Sequence, residues 1–195
     1  MRKVLVFVCF MVLVATGCAK KAPQSVDADV KMVAVNAEYL ANEKLYTIET
    51  NGDYTYNYEI RDIRGSVLIS DENISRQPVI EEVTENLLKV SVQTGIGRAT
   101  RWTMYCDVVN GRVSDGFYYV LAETEDKVVC VEYNEQYNVV VRDIFNREKI
   151  YGGTVLEDVY TVEPIVECKK VDNKLKIVYL KGNDYTEEEV VVQVD

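Results

Sequence analysis

The chain has 195 residues and carries 22 Lys and Arg against 32 Asp and Glu, a formal net charge of −10, with no histidine. That acidity argues against nucleic acid as a partner, because phosphate binding needs clustered cations that release counterions. The missing imidazole removes together the most common general base, the most common metal ligand and the usual Ser or Cys triads.

Arg2 and Lys3 form a short positive opening, and Val4 to Ala15 is an almost unbroken apolar run. The run is too short to span a bilayer and has the length of an export-signal core. It ends in Ala15-Thr16-Gly17-Cys18, which resembles the lipobox of bacterial lipoproteins, with Ala15 where that pattern usually has Leu. The resemblance implies cleavage between Gly17 and Cys18, removal of residues 1–17, and a diacylglyceryl-modified Cys18 as the first mature residue. Loss of Arg2 and Lys3 would take the charge from −10 to about −12. A two-chain lipid anchor holds stably where one chain is marginal, so the expected membrane partner is lipid, reached through Cys18. Residues 18–29, with Ala19-Lys20-Lys21-Ala22-Pro23-Gln24-Ser25 at their centre, read as a flexible tether. Ala19 follows Cys18 where a retention signal would place Asp. The resemblance therefore implies the outer membrane of a double-membraned cell, or the outer face of the cytoplasmic membrane of a single-membraned one.

Residues 30–195, on the order of 160 residues, are enough for one ordinary domain. From Tyr46 onward Val, Ile, Tyr and Thr dominate, in short runs broken by Gly, Asn and Asp, which predicts an all-β domain. Glu38 to Lys44 is the one predicted helical turn. Ile80 to Lys89 is expected to be extended, given its β-branched residues and the preceding Pro78. Leu88, Val90 and Val92 alternate with Lys89, Ser91 and Gln93, and Leu175, Ile177 and Tyr179 oppose Lys174 and Lys176. Both read as half-buried antiparallel strands.

Four like segments recur at Leu45, Leu88, Val128 and Leu175, spaced 43, 40 and 47 residues apart, the range of propeller blades. Downstream come Arg61-Asp62-Ile63, Cys106-Asp107-Val108 and Arg142-Asp143-Ile144, each read as a strand end entering a turn. The stretch from Tyr105 to Ser114, with Asn110-Gly111 at its turn, looks like the outer hairpin of many β-propeller blades, since Asn-Gly suits a tight turn with positive φ. Arg64-Gly65 and Asn146-Arg147 stand at the corresponding places of the first and third units. The fold expected is thus a β-propeller-like antiparallel array of about four units, with a β-sandwich or open meander as the alternative. The fourth unit stops one strand short after Val190 to Val194, and a closed ring would need a strand such as Val30 to Val35 to complete it.

Little in the chain points to catalysis. Cys106, Cys130 and Cys168 have no CxxC spacing, and no Walker loop, GxGxxG or GxSxG occurs. No metal or cofactor is therefore expected. The three thiols sit among strand formers and read as buried, with one disulfide plus a free thiol as the alternative. Asp62, Asp107 and Asp143 are repeat-equivalent, so turn closure is favoured over a carboxylate pair for glycan hydrolysis. Glu187-Glu188-Glu189 and Glu123, Glu125, Asp126 do not fit a calcium loop. Aromatics remain the open class: Tyr54, Tyr56 and Tyr58 are spaced to share one strand face, with Trp102, Tyr105, Tyr118 and Tyr119 elsewhere. Such a row can bind a sugar or protein partner, or can pack in the core. The function expected is a membrane-anchored, extracytoplasmic, non-catalytic binding or scaffolding module for a protein or envelope polymer. A carboxylate-dependent glycan hydrolase and a structural envelope component are the alternatives.

Overall fold

The computed structural model describes residues 45–194. The expected signal peptide, lipid-bearing Cys18 and tether, and the strand and helical turn expected at Val30 to Val35 and Glu38 to Lys44, lie outside those residues. Within them the chain is all-β and folds as four consecutive antiparallel sheets, each a meander. The first holds β1 (Tyr46–Thr50), β2 (Tyr56–Arg61) and β3 (Val67–Ile74). The second holds β4 (Val79–Thr84), β5 (Leu87–Gln93), β6 (Arg101–Asp107) and β7 (Arg112–Val113), with β8 (Phe117–Tyr118) also on β6. The third holds β9 (Val120–Glu123), β10 (Lys127–Asn134), β11 (Gln136–Asp143) and β12 (Ile150–Leu156). The fourth holds β13 (Ile165–Val171), β14 (Lys174–Lys181) and β15 (Thr186–Gln193). A two-sheet sandwich is not what the sequence adopts.

The repeat extends to individual hydrogen bonds. Leu87 pairs Asp107, Lys127 pairs Asp143 and Lys174 pairs Gln193. The N–H of the next residue then donates back across the hairpin each time: Val108 to Asn86 O, Ile144 to Asp126 O and Val194 to Asn173 O. Gln193 thus occupies in the fourth unit the place of Asp107 and Asp143.

Burial explains the differing sequence patterns. Tyr58, Ile60, Val90, Cys106 and Val108 join the first sheet to the second. Leu87, Tyr105, Phe117, Val128, Cys130 and Ile144 join the second to the third. Val129, Val139, Val141, Leu156, Leu175, Ile177, Tyr179 and Val192 join the third to the fourth. The middle sheets are covered on both faces, so Val128 to Val131 is buried at every residue, as a doubly covered strand requires. Among the described residues the end sheets are covered on one face, so β14 alternates core residues with Lys174 and Lys176. Among the described residues no core cluster joins the fourth sheet to the first, and the array is open.

Three details differ from expectation. β5 is not half-buried: Ser91 faces the third sheet, buried, its hydroxyl 3.0 Å from that of Thr103. Asn110-Gly111 is not the centre of a two-residue hairpin. Asp107 pairs Arg112 across a four-residue loop, only Gly111 has positive φ (66°), and its N–H donates to Asp107 O at 2.9 Å. The aromatic row is broken as well: Tyr54 lies in the β1–β2 turn with φ 65°, outside the strand that begins at Tyr56.

Candidate functional site

Antiparallel meanders send alternate loops to opposite ends of the sheets. One end collects the turns that follow β2, β6 and β11, together with those that follow β4, β9 and β13. Here Asp62 accepts from the Arg64 and Ser66 N–H groups at 2.9 and 2.8 Å. Asp107 accepts from the Asn110 N–H, the Asn110 amide and the Arg112 guanidinium at 2.9, 2.8 and 2.9 Å. Asp143 accepts from the Phe145 and Asn146 N–H groups at 2.9 and 3.0 Å. Burial pulls the Asp107 and Asp143 pKa values upward, but Asn110 and Arg112 at Asp107, and the Phe145 N–H, the Tyr151 hydroxyl and Lys149 at Asp143, prevail and hold both carboxyls below the ordinary value. Each aspartate closes its own turn. Neighbouring turns interlock, with Ile63 N–H on Val108 O and Lys127 Nζ on Val194 O.

The opposite end is of another character. It collects the loops after β1, β5, β10 and β14 and the connections between sheets. Its loops also interlock: Ala99 N–H donates to Glu163, Ile165 N–H to the Tyr119 hydroxyl, and Gly182 N–H to Asp158 O. Among the described residues, the large apolar side chains more than half exposed are Tyr54, Ile96, Tyr133, Ile150, Tyr160, Val162 and Tyr185. All but Ile150 lie at this end. Soluble surfaces scatter such groups singly; here six gather at one end, Tyr133 near the end of β10 and the others on loops.

Between the second and third sheets this end opens into a groove of about 440 Å³, walled by Phe117 and Tyr118 on one side and Tyr133 and Tyr137 on the other. Trp102 stands behind Tyr118, ring centres 4.7 Å apart and planes tilted 59°. Tyr133 and Tyr137 are 5.0 Å apart at 58°. Glu132 on the groove lining takes the Arg142 guanidinium in two 2.7 Å bonds, and that pairing, against burial, holds its carboxyl below the ordinary value. Arg147 and Asn134 also line the groove.

Of the aromatics singled out in the sequence, Trp102 is half-buried and supports the groove, Tyr54 stands at the same end on another loop, and Tyr56 is half-buried in β2. Tyr58 is 4% exposed, and burial, with Asp71 and Cys106 nearby, pushes its phenol up to about 12. The structure does not bring Tyr54, Tyr56 and Tyr58 onto one surface. Tyr105 is core, and among the described residues its hydroxyl is the buried side-chain polar atom without a partner. Tyr133 and Tyr137 were missed by sequence reasoning, although their spacing across a single turn residue, Glu135 (φ 62°), is a hairpin-tip signal.

A second cavity, of about 410 Å³, lies deeper between the same sheets and is lined by Lys89, Ser91, Arg101, Thr103 and Glu123. Its polar groups largely answer one another: Lys89 Nζ lies 2.8 Å from Glu81 and 2.7 Å from Glu123. Burial raises the thiols of Cys106 and Cys130 to about 12, and the Cys168 Sγ lies 3.9 Å from Leu121 O. Among the described residues, no group of His, Cys, Asp or Glu is arranged to hold a metal, and no helix is long and apolar enough to cross a membrane.

No family model matches the chain, and no curated protein matches it. Among solved structures, the crystal structure of the computationally designed Ika4 protein aligns with 78% of this chain and 88% of that one, at 15% identity and a TM-score of 0.36. At that similarity nothing beyond the alignment itself is carried over.

Proposed function

We propose that this chain is a lipid-anchored extracytoplasmic module that binds a partner through the aromatic end of its sheet array, without catalysis. The observation that carries the reading is the concentration of the most exposed large apolar side chains at the end opposite the chain's entry. Leu45, where the described chain begins, accepts the Arg61 N–H beside the Asp62 turn, so a tether from Cys18 arrives at the charged end. The 27 positions from Cys18 to Leu45 reach at most about 90 Å when extended. Commitment of Asp62, Asp107 and Asp143 to their own turns supports binding over carboxylate chemistry.

Two measurements test this. Metabolic labelling with a fatty acid should mark the wild-type protein and not the Cys18→Ala precursor; label on the variant removes the anchor from the reading. A photo-crosslinking amino acid placed at Tyr133 should give adducts in intact cells that the same residue placed at Ile150, at the charged end, does not. Equal adducts at both positions would sink the assignment of the binding face.

A further inference from the structure

Resting on that binding-face reading, we infer that the groove between Tyr118 and the Tyr133–Tyr137 pair binds an uncharged glycan, a chain of neutral pyranose rings. Three features select this occupant over a protein or an ionic polymer. First, the charges at the groove are largely committed: Glu132 holds Arg142 by two bonds, and Glu163 accepts the Ala99 N–H at the adjoining loop. What remains to meet a ligand is phenol rings and hydroxyls, the Asn134 amide and the Arg147 donors. Arg147 is solvent-exposed, so its charge stays hydrated while the hydroxyls of neutral rings answer its donors, the phenols and the amide.

Second, the mouth of the groove presents Tyr118 and the tilted Tyr133–Tyr137 pair beside a buried Phe117. Tyrosine offers an apolar face and a polar tip, which suits a ring with C–H groups on its faces and hydroxyls at its edge. A stable protein interface instead centres on a fully desolvated cluster sheltered by a rim. Tyr133 is 69% exposed and Tyr118 48%, so the rings at the groove mouth stay wet rather than forming a desolvated cluster. Third, a chain of net charge −10 repels anionic polymers at long range.

Binding of chitohexaose, cellohexaose and maltohexaose to the full chain in detergent, followed by tryptophan fluorescence and calorimetry, tests the inference. At least one of these neutral hexamers should bind, Tyr133→Ala should weaken it roughly tenfold or more, and Ile150→Ser at the opposite end should leave it unchanged. An anionic oligogalacturonate should bind at least tenfold more weakly than the neutral hexamer. Because Tyr133 is exposed, its alanine variant keeps the core, which a thermal melt verifies. No binding by any neutral hexamer, binding unaffected by Tyr133→Ala, or a preference for oligogalacturonate overturns the glycan assignment. If crosslinks from Tyr133 in cells still capture a protein while the hexamers fail, the glycan class falls and the binding face stands. If both fail, both readings fall.

Discussion

Trp102 packs so closely on Gly116 that a Cβ added to the glycine would lie 1.7 Å from indole Cζ2. The same indole supports Tyr118 at the groove wall, so a residue with no side chain sets the position of an aromatic platform. Gly116→Ala must push the ring outward, since a contact that short has no rotamer-scale relief. The expected cost is about 1–3 kcal/mol, read by chemical denaturation. Trp102 is the chain's single tryptophan, so its emission should shift red as the ring gains solvent. An unchanged spectrum would mean the glycine does not seat the indole.

Asp107 is expected to be a source of acid sensitivity. Its folded pKa is depressed, so its contribution is present above the unfolded value of about 3.9 and is lost as pH falls through the folded value. Asp107→Ala should cost about 1–2 kcal/mol near neutrality by leaving the Asn110 N–H and Arg112 without their acceptor. The difference from wild type should shrink once the pH is below the folded value. Urea melts across that acid range check the sign; a gap that widens toward low pH would contradict it.

Lys89 bridges the second and third sheets through Glu123 while holding Glu81 within its own sheet. Burial opposes its charge, but the two carboxylates raise its pKa. Its contribution is therefore complete below the unfolded value of about 10.4 and is lost only as pH climbs through the still higher folded value. Lys89→Met should destabilise by about 1–3 kcal/mol at neutral pH, less than a fully buried pair because the site is partly solvated. Adding Glu123→Leu should recover part of that loss, and a double variant less stable than the single one would count against the bridge.

Cys106 and Cys130, with thiols raised to about 12, should resist a disulfide reagent at about pH 8.5 in the folded protein. Cys168, half-exposed on β13, should react first. Three thiols modified at equal rates without denaturant would mean that the packing of the second and third sheets is looser than described.

How much was readable in advance varied with burial. The alternation of Leu175, Ile177 and Tyr179 against lysines was legible because β14 has one wet face. The same reading misjudged β5, since Ser91 looks like a solvent residue and is a buried hydroxyl answered by Thr103 from a strand twelve residues away. The aspartates of the repeat declared their role, because a turn carboxylate acts on N–H groups two to four residues along. The groove did not, because Tyr118 and Tyr133 come from different sheets and nothing in their spacing says that both line one groove.

Periodicity and contacts a few residues apart were enough to read the all-β class, the four units of about forty residues and the turn chemistry at their ends from the chain alone. The openness of the array among the described residues, and the split that buries Tyr58 in the core while Tyr54 stands at the rim, came only with the fold. So did the meeting at one end of exposed rings from distant parts of the chain. Those outcomes depend on which sheet face meets which neighbour, and a long-range packing choice leaves no local signature in the chain.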